Sequence, residues 1–241
     1  MSPETPLPPL PLGIPLPNWR APEPPSKAPL QGRYCRLERL SAEAHASDLH
    51  AANQLDRAGR IWAYLTYGPF ESLATYREWM ASTCGGDDPL FFAIIDAASG
   101  KAVGVASYLR IDPRNGCIEV GHLCYSPRLQ QTPAATEAMY LLMRRAFEAG
   151  YRRYEWKCDA LNARSRAAAQ RLGLSFEGIF RQAVVVKGRN RDTAWYAAID
   201  SEWPALDRAF GEWLAPANFD AAGQQRVSLA QLTGPVLVRR G

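Results

Sequence analysis

The chain has 241 residues, 47% apolar and 22% charged, with a formal charge of +4, a balance that fits one sizeable globular core with extensions. No apolar run approaches the roughly 20 residues that a membrane span needs, so no membrane association is expected. Five scattered cysteines without a CxxC pair, and three histidines without helical stacking, argue against a disulfide framework and a metal site and favour reduced thiols in the cytoplasm.

The first thirty residues, "MSPETPLPPLPLGIPLPNWRAPEPPSKAPL", lack the basic start and unbroken apolar stretch of a signal peptide. Their prolines favour an extended arm. Leu10, Leu12, Ile14, Leu16 and Trp19 make that arm apolar, so it is expected to pack on its own domain or on a second copy, giving a homodimer. A ligand for a proline-recognising module is the competing reading.

"GRYCRLERL" reads as a strand and "SAEAHASDLHAANQL" as a helix opening at Ser41. "RIWAYLTYGPF" ends in a Gly-Pro turn, and "ESLATYREWMAST" is a second helix with Leu73, Tyr76 and Met80 on one face. "LFFAIID", "AVGVASYLRI" and "CIEVGHLCY", separated by short polar turns, predict an antiparallel meander. In "SPRLQQTPAATEAMYLL", Thr132 caps a helix and Pro133 fits its first turn, where the missing N–H is harmless. Ala135, Met139, Leu142, Met143 and Ala146 then form an apolar stripe that ends near Gly150.

"YRRYEWKCD" is a further strand, and strand, turn, helix and strand in that order imply a parallel crossover. "NARSRAAAQRLG" is a short helix, and "EGIFRQAVVVK", "GRNRD" and "TAWYAAI" form a closing hairpin whose Asp192 is placed to hold Arg189 or Arg191. One more helical stretch follows Glu202, and the tail "RVSLAQLTGPVLVRR" has no assignment from pattern alone. The expected division is an arm over 1–30, a catalytic domain over 31–215 and a tail over 216–241.

A meander, a helix at a strand end, a parallel strand, a helix and a hairpin resemble the GNAT superfamily of N-acetyltransferases. The expected fold class is therefore α/β (α+β), a mixed, mainly antiparallel twisted sheet flanked by helices, with one parallel crossover at the cofactor site. "QQTPAATEA" resembles the family's acyl-coenzyme A loop: Gln130 opens it, Pro133 takes the glycine position and Ala135 closes it. "DALNARSRAAAQRLGLSFEG" resembles the motif that follows, and "IEVGH" and "TEA" resemble the ribosomal-protein N-terminal acetyltransferase branch. The resemblance covers about residues 31 to 200.

It implies an enzyme that transfers an acetyl group from acetyl-CoA to a primary amine, either a peptide N-terminus or a small molecule. The amides of Gln131, Thr132, Ala134 and Ala135 at a helix N-terminus suit a pyrophosphate, and Pro133 removes one donor there. By resemblance, Leu123 and Tyr125 would face the pantetheine arm and acetyl group, with Asn162 and Ser165 on the far side. Glu119, Glu155 and His122 are candidates for the general base. The family's usual tyrosine acid is replaced by Ala169, which leaves Tyr125 and Tyr196 open for that role. Trp62, Tyr67 and Phe70 would wall an acceptor pocket or belong to the core.

Pro133, Ala169 and the arm also keep open a non-catalytic binding or scaffold protein of the same fold. The basic residues between Arg144 and Arg191 raise nucleic-acid binding, but no module of interleaved aromatic and basic residues accompanies them.

Overall fold

The computed structural model describes residues 10–241. Eight strands form one sheet: β1 (Leu30–Gln31), β2 (Cys35–Arg39), β3 (Leu90–Asp96), β4 (Ala102–Asp112), β5 (Cys117–Tyr125), β6 (Arg153–Asp159), β7 (Ser175–Val186) and β8 (Arg189–Ile199). Their spatial order is β1-β2-β3-β4-β5-β6-β8-β7. Only β5 and β6 run parallel; every other neighbouring pair is antiparallel. The meander, the crossover and the hairpin lie where the alternation of apolar residues predicts them.

Six helices flank the sheet: α1 (Ala42–Asn53), α2 (Leu73–Thr83), α3 (Pro133–Glu148), α4 (Ala163–Arg171), α5 (Trp203–Leu214) and α6 (Leu229–Thr233). Each of the first four starts on a side-chain cap: the Ser41, Ser72, Thr132 and Asn162 oxygens accept from backbone N–H groups of the first turn. One face of the sheet is covered by α3, α4, α5 and α6 around Ile118, Val120, Leu142, Tyr154, Tyr196 and Phe210. The other is covered over its first half by α1 and α2, around Leu49, Tyr76, Met80, Phe91 and Val105. No helix among the described residues is long and apolar enough to cross a membrane.

Three local differences from the pattern have physical causes. Strand β8 begins at Arg189 rather than Thr193, because Lys187 and Gly188, both at positive φ, make a two-residue turn that lets pairing start at once. The tail docks: Leu229 and Thr233 are buried, the Thr233 hydroxyl donates to the Arg171 carbonyl, and Phe176 N–H donates to the Arg239 carbonyl. Within the arm, Trp19 lies over Gly116 and the Arg152 guanidinium, and Arg145 donates to the carbonyls of Ser26, Ala28 and Pro29. Residues 19–29 therefore pack on their own domain, while Leu10, Leu12 and Ile14 stay exposed.

Candidate active site

The site begins where the parallel seam ends. β5 and β6 pair only over Cys117–Val120 and Arg153–Trp156. Beyond that point the rungs between β4 and β5 jump from Ser107–Gly121 to Val105–Cys124, so His122 and Leu123 fall in a bulge and His122 sits at φ 50. Such a conformation is strained for a side chain with a Cβ, and bulges of this kind bend a strand. β6 meanwhile continues to Asp159 against β8 alone. The two strands separate, and the cleft between them leads to the turn before α3.

That turn is rich in free donors. The Thr132 hydroxyl accepts from Ala135 N–H at 3.2 Å and donates to the Leu129 carbonyl at 2.7 Å. The backbone N–H groups of Gln131 and Thr132, and of Ala134 in the first helical turn, have no partner among the described residues. Pro133 holds the turn and contributes no donor, as the sequence predicts. The side chains of Ala134 and Ala135 are buried in the core, so these residues can offer a ligand only their backbone. Gln130 is spent otherwise: its amide donates to the Tyr125 carbonyl at 2.8 Å.

Arg171, which sequence reasoning passed over, donates to the Thr136 hydroxyl at 3.2 Å and has no carboxylate partner among the described residues. Burial pulls its pKa below the ordinary arginine value. A guanidinium one turn into α3 adds positive charge to an end that already carries the dipole and unpaired N–H groups. On the far wall, the Asn162 side chain caps α4 by accepting from Ser165 N–H, and the Ser165 hydroxyl accepts from Trp156 Nε1 at 3.0 Å.

The three candidate bases stand in different surroundings. Glu119 is buried, and its Oε2 receives both Arg110 and Lys157 at 2.8 Å. Its Oε1 makes no hydrogen bond among the described residues and lies on the side of Gly121, where the bulge begins. Glu155 is more fully engaged, with Arg153 on one oxygen at 2.6 Å and Lys157 on the other at 2.7 Å. These two ion pairs hold its pKa below the ordinary carboxylate value against the opposing effect of burial. His122 packs between Tyr67 and Phe91, with ring centres 5.7 and 4.9 Å away. Burial, helped by the Arg110 charge, pushes its pKa down to about 4, so it is neutral at physiological pH.

The two remaining tyrosines stand in different surroundings. The Tyr125 hydroxyl donates to the Ala135 carbonyl at 3.4 Å, and burial raises its pKa. Tyr196 is buried in the core, and its hydroxyl accepts from Arg166 Nε at 3.2 Å.

The aromatic segment after α1 divides between core and cleft. Trp62 and Phe70 pack edge-to-face at 5.5 Å within the α1–α2 core, whereas Tyr67 reaches across to His122. The segment is tied down from both sides: Lys187, at the tip of the β7–β8 hairpin, donates to the carbonyls of Trp62 and Tyr67, and the Tyr64 hydroxyl donates to the Leu161 carbonyl. Asp192 does not hold an arginine; it accepts from Gln182 N–H and the Asn190 amide. An open depression of about 830 Å³ beside these residues is lined by Phe180, Arg181, Gln182, Ala183, Asn190 and Asp192.

Residues 36–175 match the family model described as an acetyltransferase (GNAT) domain. The chain is similar over 91% of its length to the whole of a GCN5-related N-acetyltransferase structure from Brucella melitensis, with 49% identity and a TM-score of 0.89. Over 82% of its length it is similar to the whole of a structure named for GNAT-family acetyltransferases from Chromobacterium violaceum, with 41% identity and a TM-score of 0.76. A structure named for a ribosomal-protein-serine acetyltransferase from Vibrio cholerae is only 18% identical, over 71% of this chain and 97% of that one, with a TM-score of 0.62. At that distance the likeness shows the fold alone, so the resemblance to that branch is not supported beyond the family. Another, the microcin C7 self-immunity acetyltransferase MccE, was solved with acetyl-CoA and AMP; it is 20% identical over 70% of this chain and 93% of that one, with a TM-score of 0.61. No curated protein matches the chain. The splayed parallel seam, the donor-rich start of α3 and these likenesses agree: the chain belongs to the GNAT family of acetyltransferases.

Proposed function

We propose that this acetyltransferase takes its acetyl group from acetyl-CoA and delivers it to a primary amine. The observation that carries this reading is the pair of unsatisfied features at the end of β5: a strand that leaves its parallel partner at Val120, and three unpaired N–H groups at the start of α3. Unpaired N–H groups at a helix N-terminus suit a pyrophosphate, and Arg171 adds a charge beside them. Strands that part expose polar backbone groups that an extended pantetheine arm can satisfy. The complex of MccE with acetyl-CoA supports the same donor for this fold.

Acetyl-CoA supplies the acyl carbon as a thioester. The chain's own residues then position and deprotonate the amine. Glu119 is the preferred base, because Oε2 is fixed by Arg110 and Lys157 while Oε1 takes no hydrogen bond from the described residues. A carboxylate anchored through one oxygen is pre-oriented to accept a proton at the other, directly or through a water. Backbone N–H groups in the His122–Leu123 bulge are suited to stabilise the oxyanion that forms when the amine attacks the carbonyl. No hydroxyl is assigned to protonate the thiolate, whose intrinsic acidity makes it a competent leaving group.

Acetyl-CoA at millimolar concentration should raise the melting temperature, and free coenzyme thiol should appear when a suitable amine is added. Glu119→Gln should lower kcat by about 10²-fold while leaving coenzyme affinity within about threefold. Absence of any thermal shift with acetyl-CoA would sink the proposal. An unchanged kcat would remove Glu119 from it.

A further inference from the structure

Seven buried side-chain nitrogen or oxygen atoms lack a hydrogen-bond partner among the described residues, among them the Tyr67 hydroxyl, Arg191 Nε, Thr193 Oγ1 and Trp195 Nε1. The last three occupy alternate positions of β8 and so share one face of the strand. It is the face of the ion-pair network, since Lys157 Nζ lies 3.8 Å from the centre of the Trp195 ring and also binds Glu119. Thr193 is only 5% exposed, and Phe180 covers Trp195 at 4.6 Å.

Leaving a buried polar group unpaired costs about 1–3 kcal/mol. A row of three such groups on one strand face therefore calls for a partner that is bound there in function. Indole and guanidinium groups only donate, so that partner is rich in acceptor oxygens. Its charge follows from Arg191, which makes no ion pair among the described residues although Asp192 is its neighbour. From Trp195 to Arg191 the row runs about 13 Å at strand spacing, longer than a single amino acid.

We infer that β8 selects the acceptor: an extended amine whose far end carries an oxyanion, carboxylate or phosphate, held by Arg191, with intermediate oxygens accepting from Thr193 and Trp195. This rests on the amine-acetylation reading above. It adds a specificity element that lies on the hairpin and outside the coenzyme cradle.

Calorimetric titration of the full chain, without coenzyme, tests it on two matched pairs: triglycine against triglycine amide, and 4-aminobutyl phosphate against 4-aminobutanol. In at least one pair the acidic member should bind about tenfold tighter, and which pair does so identifies the oxyanion. Arg191→Gln should reduce that preference to within about twofold, and Thr193→Val should weaken the acidic and neutral members alike. Arg191→Lys, which keeps the charge but loses Nε, serves if the glutamine variant melts early. Equal binding within both pairs, no binding at millimolar concentration, or a preference that survives Arg191→Gln would overturn the inference. Coenzyme thiol release with the same amines separates the two proposals. A binding preference without release sinks acetyl transfer to these amines and leaves the oxyanion site standing; release without preference does the reverse.

Discussion

At the scale of single residues, the cleft shows how burial and charge assign roles that residue type alone leaves open. His122, Glu119 and Glu155 are all candidates in the sequence, and the packing sets them apart. His122 has lost its base character to burial between two aromatic rings, with its pKa pushed down to about 4. A histidine held neutral in the folded state and titrating near 6.5 when unfolded binds fewer protons folded than unfolded. Its contribution is complete above pH 6.5 and is lost as the pH falls from 6.5 towards 4. His122→Phe should therefore narrow the stability difference between pH 7 and pH 4.5 by about 2 kcal/mol relative to the native chain, read from urea unfolding at the two pH values. Lys157 and Arg110 carry no motif, which is why sequence reading missed them. They acquire meaning only when β5, β6 and the end of β4 bring their charges onto Glu119.

At the scale of elements, α3 joins legible and illegible information. Its cap, its first-turn proline and its apolar stripe can be read directly from "TPAATEAMYLL", and the helix starts where they predict. The role of Glu137 cannot be read in that way. Its buried carboxylate accepts from the N–H groups of Arg33, Tyr34 and Cys35, three residues about a hundred positions away, and a Cβ at Gly32 would collide with it. The glutamate of the "TEA" segment thus clamps the start of β2 to α3, and its effect on the site is indirect. Glu137→Gln keeps the shape but replaces one accepting oxygen with a donor. It should cost about 3 kcal/mol and speed exchange of the Arg33, Tyr34 and Cys35 amides, measured by native-state hydrogen exchange. The seam was legible only in outline: order and spacing predict a parallel crossover, but no local pattern announces a bulge at His122 or pairing that stops at Val120, since both depend on neighbouring strands.

At the scale of the whole molecule, the short β5–β6 seam has a mechanical consequence. The first five strands lie side by side in chain order, whereas β6, β7 and β8 make up a second sub-sheet joined to them by four rungs. The first half is built from near-neighbour contacts and is able to form early during synthesis; the second must wait for a long-range parallel pairing. A ligand seated in the splay would touch both halves at once and act as a rivet across the weakest line of the sheet. Binding of acetyl-CoA should then slow amide exchange in Lys157–Asp159 and Gly121–Tyr125 together, by about tenfold or more, while exchange within β2 and β3 changes little. Protection confined to one side of the seam would mean that the ligand does not bridge it. In mechanical terms, the proposed donor would also be the missing fastener between two sub-sheets that share only four rungs.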